Sequence, residues 1–344
     1  MNNVLLSICI PTYNRKEVVI KDISEYLSLK DERFNVIIQD NNSTDGIFKE
    51  LDLIKDPRLI ARKNAQNIGA NPNYIKSMSG SMAEYILFTI DKDLINIKCL
   101  PSFLDYLEEE KPFFGLVDLS NNKPLHIENY PVGIKSIAQT AYFSKHPSGT
   151  FYKNSLFKAQ IQQDYFKQSN RNFEFLFDVI NGHLSVLYPA SVVFMPLILN
   201  NGLRKMRVKS LTYNEDNIYY SFPKRLEAFH IYLTDFLSLE LSEKDKRDYS
   251  YKMLDRLITM VTVVLRSCIK DELFCERYSV KKRTVSVSEM IRNSILAIHE
   301  FRTISAALLS PAIINYYSTK AFIKSLFRIA KRLIKEVVFS MHKQ

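Results

Sequence analysis

Apolar residues gather from Leu5 to Ile10 and stop at Pro11, and a second apolar run, NVIIQD, closes on Asp40. Between them, the stretch from Lys16 to Leu29 has helical spacing, so this part of the chain predicts a βαβ unit. A third strand is expected around Leu59 to Ala61 and a fourth at YILFTI, with a helix in NPNYIKSMSGSM between them. Strands that read as apolar runs rather than alternating patterns are buried on both faces. Their alternation with helices predicts an α/β fold with a doubly wound, mostly parallel sheet.

From Arg204 onward no strand pattern is evident. Runs such as YSYKMLDRLITMVTVVLRSCI place apolar residues three and four apart, as at Leu254, Leu257, Ile258, Val261 and Leu265, which is helical periodicity. The expected division is an α/β domain over residues 1–205 and a helical region over 206–344. In the last stretch, Phe322, Ile323, Leu326, Phe327, Ile329, Leu333, Ile334 and Val337 interleave with Lys320, Lys324, Arg328, Lys331, Arg332 and Lys335, with Glu336 the lone acid. On a helical wheel this predicts an apolar face flanked by cations, suited to an anionic membrane surface.

Composition narrows the partners. With 47 Lys and Arg against 37 Asp and Glu, the 344-residue chain carries a net charge of +10, which favours an anionic partner. The basic residues concentrate near the C-terminus without interleaved stacking platforms, so no nucleic acid is expected. Cys9, Cys99, Cys268 and Cys275 form no C-x-x-C pair and read as reduced thiols of a cytosolic protein rather than a zinc site. The N-terminal apolar run lacks a basic leader and breaks at Pro11, which predicts a strand rather than a signal peptide. The charge-poor stretch LSVLYPASVVFMPLILN is interrupted by Pro189 and Pro196 and is too short to span a bilayer.

In doubly wound sheets ligands bind beyond the carboxyl ends of the strands. Here those ends are PTYNR, DNNSTDG and DKD, all polar and two of them acidic. No G-x-G-x-x-G follows the first strand, which argues against an NAD enzyme. Local chemistry offers simpler uses for some of these residues: Asn14 as a helix N-cap, Ser43 to Gly46 as a turn, and Gly69 at positive φ with Asn71 capping before Pro72.

SICIPTYNR, IIQDNNSTDG, NIGANPNYIKSM and YILFTIDKDLI, in this order and spacing, resemble the family 2 glycosyltransferases of the GT-A fold that assemble bacterial surface polysaccharides. The likeness covers roughly residues 3–200. It implies a nucleoside-diphosphate-sugar donor, with Pro11, Thr12 and Tyr13 lining the base pocket, Asp40 hydrogen-bonding the base, and Arg15, Asn73, Asp91 and Lys92 also contacting the donor. Asp93 corresponds to the metal-binding aspartate of the D-x-D motif, with Asp91 steadying ribose or metal. Lys92 departs from the pattern; it either points into solvent or helps to neutralise the diphosphate.

A leaving diphosphate develops negative charge, so transfer needs Mg²⁺ or Mn²⁺ or equivalent positive charge, and strand-end carboxylates are hard oxygen ligands for such an ion. An inverting transfer also needs one general base for the acceptor hydroxyl. The family places it near a helix start after the acceptor-side loop, here KHPSGTF, whose His146 could touch sugar hydroxyls. Glu174, and after it Asp178, are the candidate bases. The resemblance implies a lipid-linked or growing saccharide acceptor in O-antigen or capsule assembly, and a cytoplasmic protein peripheral to the inner face of the plasma membrane. The alternatives are a catalytically degenerate GT-A protein acting as a membrane-associated assembly partner, and a nucleotidyltransferase.

Overall fold

The computed structural model describes residues 4–118, 125–144, 146–163, 176–199, 221–278 and 280–341. The chain divides into two compact units, Met1–Asn201 and Gly202–Gln344. The first is built on a mixed sheet, the second on helices.

In the first unit β1 (Leu6–Thr12), β2 (Phe34–Asp40), β3 (Leu59–Lys63) and β4 (Tyr85–Phe88) are linked by α1 (Lys16–Ser28), α2 (Ile47–Leu53) and α3 (Ala70–Ser79). β1 lies between β2 and β4, and β3 flanks β2, all parallel. Every residue of β1 and β2 is buried, as their apolar runs predict. Helices cover both faces, and Ile8, Ile23, Tyr26, Val36, Leu87 and Phe103 belong to the resulting core.

β1 continues through Pro11, which pairs in register with Gln39. Successive residues of a central parallel strand bond to opposite neighbours. Cys9 faces β4, accepting from the Thr89 N–H at 3.1 Å, so Pro11 faces the same side. The last pair there is Cys9 with Phe88, so proline's missing donor falls where β4 has ended.

The rest of this unit comprises β5 (Leu94–Ile95), α4 (Leu100–Glu110), β6 (Phe114–Asp118), β7 (His126–Tyr130), α5 (Ile134–Thr140), β8 (Thr150–Lys153), α6 (Asn154–Ile161), α7 (Leu176–Ser185), β9 (Ala190–Phe194) and β10 (Ile198–Leu199). The sheet order is β3-β2-β1-β4-β8-β6-β9-β7; β8 runs antiparallel to β4 and β6, and β7 antiparallel to β9. β5 and β10 make a separate antiparallel ribbon just beyond the DKD segment.

The second unit contains α8 (Phe222–Ser238), α9 (Glu243–Thr259), a π-helical turn (Met260–Val264), α10 (Leu265–Cys268), α11 (Glu272–Tyr278), α12 (Val287–Ser305) and α13 (Pro311–Met341). Ser242 caps α9 and Ser286 caps α12, each accepting a backbone N–H three residues on.

The terminal helix corrects the wheel drawn from sequence, because its apolar residues divide between opposite faces. Ala321, Ser325 and Ile329 are buried in the unit, with the Ser294 and Ser325 hydroxyls 2.7 Å apart, whereas Ile323, Phe327 and Ile334 stay exposed. Small side chains at Ala321 and Ser325 let this face approach α12 closely. The arginines are also committed: Arg328 pairs with Asp255 at 2.7 Å, and Arg332 pairs with Glu336 at 3.0 Å. Glu336 also receives Arg266 and Lys270, and these partners, Arg266 foremost, hold its carboxyl down to about 2.

Candidate functional site

Three polar segments meet at the carboxyl ends of β1, β2 and β4. After β1, Asn14 takes a left-handed conformation, φ 52°. Its N–H donates to Ser43 Oγ at 2.8 Å, and its Oδ1 accepts from the Thr44 N–H at 2.8 Å. Asn14 is therefore a clamp between the β1 and β2 loops and not the expected N-cap. The α1 terminus is served from the neighbouring loop, where Asp45 Oδ2 accepts from the Lys16 N–H at 2.8 Å.

Asp40 ends β2 and is fully buried. Its Oδ1 accepts from the Ser43 N–H at 2.9 Å; Oδ2 is buried with no hydrogen-bond partner among the described residues. An unmatched buried acceptor costs about 1–3 kcal/mol, and more when charged. That oxygen is suited to receive an N–H from a ligand.

Behind it lies a ladder of amides. Gln39 Nε2 donates to Asn64 Oδ1 at 2.9 Å, and Asn64 Nδ2 donates to Asn41 Oδ1 at 2.9 Å and to Asn73 Oδ1 at 2.8 Å. Asn73 Nδ2 in turn donates to the Gln39 carbonyl at 3.1 Å. Asn73 is 3 % exposed, and both ends of its amide are bound within the protein. This corrects its expected contact with the donor: it braces α3 against β2. Asn71 lies inside α3; Gly69, φ 85°, occupies the N-cap position instead.

Asp91 follows β4 and reaches back to β1. Its Oδ2 accepts from Thr12 Oγ1 at 2.9 Å and lies 3.3 Å from Arg15 Nε. The two charged side chains are 9 % and 11 % exposed, so the pair is largely withdrawn from water. Burial raises the Asp91 carboxyl above its ordinary range, while Arg15, Thr12, Lys92 and the Tyr13 backbone pull the other way. Pro11 and Thr12 are buried; Tyr13 and Lys92 are half-buried. Lys92 is thus not freely solvated, and its charge acts on Asp91.

Asp93 is 4 % exposed. His146 Nε2 lies 2.5 Å from its Oδ2, and Ser148 Oγ donates to the same oxygen at 2.6 Å. Ser148 Oγ also accepts from the Ile90 N–H at 3.0 Å, and the Gly149 N–H donates to the Phe88 carbonyl at 2.9 Å, which stitches this loop to the end of β4. The loop expected on the acceptor side therefore seats directly on the D-x-D carboxylate. Ser148 was not singled out by the sequence; only its place in a Ser-Gly turn before β8 pointed to it.

Glu174 lies outside the described residues. Asp178 sits in the first turn of α7, beneath the same loop, and is 3 % exposed. Its Oδ1 accepts from the Phe143 N–H at 2.6 Å and the Ser144 N–H at 3.2 Å. Tyr142 and Ser144 both have left-handed backbones, φ 59° and 55°, so the carboxylate holds a strained turn two residues before His146. That geometry corrects the reading of Asp178 as a base, because a buried carboxylate holding two backbone donors is a structural group. α7 is fixed over β4 by rings: Phe177 lies 4.6 Å from Phe88, which lies 5.0 Å from Tyr74.

Among the described residues no three His, Cys, Asp or Glu side chains converge as a metal cage. Asp93 and Asp91 still fit a hard divalent ion whose shell the substrate completes, since Mg²⁺ and Mn²⁺ sites commonly take one or two carboxylates plus phosphate oxygens. Both described contacts to Asp93 fall on Oδ2, and none reaches Oδ1.

Carboxylates beyond the ends of β2 and β4, the two parallel neighbours of β1, lie where α/β sheets of this kind take their ligands. Residues 7–168 match the Glycosyl transferase family 2 model. It is 30% identical over 118 residues to the abequosyltransferase RfbV of Salmonella typhimurium, covering 32% of this chain and 35% of RfbV. It is likewise 30% identical over 111 residues to the Escherichia coli UDP-Glc:alpha-D-GlcNAc-diphosphoundecaprenol beta-1,3-glucosyltransferase WfaP, covering 32% of this chain and 44% of WfaP. The chain thus spans less than half the length of either relative. The fold is similar to that of Staphylococcus aureus TarS 1-349, with a TM-score of 0.55 at 15% identity, over 96% of this chain and 92% of that one. The architecture is GT-A, with a helical C-terminal region.

Proposed function

We propose that the protein is an inverting glycosyltransferase that moves a sugar from a nucleoside diphosphate to a lipid-linked or growing saccharide in O-antigen or capsule assembly. The observation that carries this reading is the set of carboxylates Asp40, Asp91 and Asp93 at the ends of β2 and β4, inside the family 2 match. A donor nucleotide is supported by the TarS structure solved in complex with UDP-GlcNAc, and a lipid-linked acceptor by the diphosphoundecaprenol substrate in the name of WfaP.

In this reading the unmatched Asp40 Oδ2 takes a ring N–H of the base, and the half-buried Tyr13 offers a stacking face. Asp93, with Asp91, would hold Mg²⁺ or Mn²⁺, and such an ion supplies positive charge to the leaving diphosphate. Arg15 keeps Asp91 oriented, while His146 and Ser148 fix Asp93 Oδ2 and leave Oδ1 toward the ligand. The acceptor hydroxyl attacks the anomeric carbon on the face opposite the leaving group, so one base must stand there. We assign that role to Glu174 and a positioning role to Asp178. The cation excess supports work at the anionic inner face of the plasma membrane.

Calorimetric titration with a panel of nucleotide sugars, with and without Mn²⁺, tests the reading. One donor should bind, and bind more tightly with the metal. If none binds under either condition, the donor site is wrong.

A further inference from the structure

The exposed side of α13 carries a lane that the described residues of the second unit leave uncovered. Tyr316, Ile323, Phe327, Ile334 and Val338 are 60%, 48%, 72%, 64% and 47% exposed. Their spacing of seven, four, seven and four keeps them within an arc of about 60° over about 33 Å of helix. The opposite side is the packed one, where Ala321, Ser325 and Ile329 are buried. The lane is therefore not a core face left half-finished; the helix has two apolar faces and the unit uses one.

Charge says what fits the other. Lys320, Lys331 and Lys335 are exposed and fall in the adjoining lane, about 40–100° round the helix from Tyr316, while Lys324 turns to the bundle, its Nζ 3.8 Å from Asp255 Oδ1. Glu336, the one acid between Pro311 and Met341, is on the packed side, held by Arg266, Lys270 and Arg332. Lys320 Nζ lies 5.5 Å from the Tyr316 ring centre, which puts an aromatic and a cation together at one end of the lane. Long apolar side chains beside lysines, with no acid between them, match the acyl–headgroup boundary of an anionic bilayer. A second copy docked antiparallel on the same lane would instead bring two rows of lysines together.

We infer that α13 docks flat on an anionic lipid bilayer through the Tyr316–Val338 lane, with its lysines in the headgroups and the buried face still packed on the second unit. This refines the membrane part of the proposed function by assigning the face and by exempting Ile329, Arg328 and Arg332 from lipid contact. It stands or falls without reference to sugar transfer, since its test uses no nucleotide sugar.

The test is sedimentation of the full chain with phosphatidylcholine vesicles containing or lacking phosphatidylglycerol. Anionic vesicles should bind the wild-type chain at least tenfold better than neutral ones. Phe327→Asp with Ile334→Asp should abolish binding. Replacing Lys320, Lys331 and Lys335 by Gln should weaken it by about a hundredfold, at about fivefold for each lysine near an anionic surface. Circular-dichroism melting checks that both variants keep the packed bundle, which their exposed positions lead us to expect. Undiminished sedimentation of either folded variant would overturn the inference. So would a lipid-free dimer, seen by light scattering, that the aspartate pair dissolves, because the lane would then be a self-association face.

Discussion

Asp178 offers the sharpest separation between a chemical and a structural role. Replacing it by Asn keeps an acceptor for the Phe143 and Ser144 N–H groups, which lie 2.6 and 3.2 Å from Oδ1. Charge-assisted bonds are worth about 1 kcal/mol more each than neutral ones, so Asp178→Asn should cost about 2 kcal/mol of stability. Replacing it by Ala leaves two buried donors unmatched, at about 1–3 kcal/mol each, and should cost about 2–6 kcal/mol. The strained turn then loosens, and with it the placement of His146 and Ser148 on Asp93. Removing a general base would instead lower kcat by about 10²–10⁴ while leaving the fold intact. The assay is release of nucleoside diphosphate at saturating donor across pH, paired with urea unfolding. We expect Asp178→Asn to keep kcat within about tenfold and to retain the pH dependence of the wild type, and Asp178→Ala to lose both stability and rate. A stable Asp178→Asn protein that has lost several hundredfold in kcat, together with the acid limb of its pH profile, would refute the positioning role.

Asp40→Asn should weaken donor binding by about 10- to 150-fold, the worth of a hydrogen bond to a charged acceptor. The Ser43 N–H holds the oxygen end, so the new amide turns its NH₂ toward the ligand N–H; calorimetry that finds unchanged affinity removes Asp40 from the base site. For Asp91, burial keeps the folded carboxyl above 3.8, its unfolded value, so over the window just above 3.8 the folded state binds more protons. The wild-type chain should therefore lose stability relative to Asp91→Asn as pH rises through that window; chemical denaturation showing no such drift would mean that Arg15 offsets the burial completely.

The parallel half of the sheet was legible because strands buried on both faces need apolar residues almost throughout, and Leu6–Ile10, with Ser7 the one exception, and Val36–Ile38 have them. β7 and β8 were not. β7 is an edge strand with mixed exposure, and β8 has only four residues, so neither leaves a periodic signal. The strand-end acids stood out for the same reason that the strands did: a carboxylate that closes an apolar run is conspicuous. Their partners did not, since His146 and Ser148 reach Asp93 across more than fifty residues and only the folded loop joins them. Asn73 looked available because sequence cannot tell an amide facing a ligand from one spent inside a ladder. The terminal helix misled in another way, because a wheel shows amphipathicity but not which of two apolar faces the neighbouring helices occupy.

The central claim is sugar transfer from a nucleotide donor at the ends of β2 and β4. Its most direct test is turnover of a labelled nucleotide sugar onto a lipid-linked saccharide, with Mn²⁺, by the wild-type chain and by Asp93→Ala. The account predicts labelled lipid product from one donor with the wild type and none above background with the folded variant. Equal turnover by the two proteins, or donor binding without transfer to any lipid-linked or soluble saccharide, would contradict it.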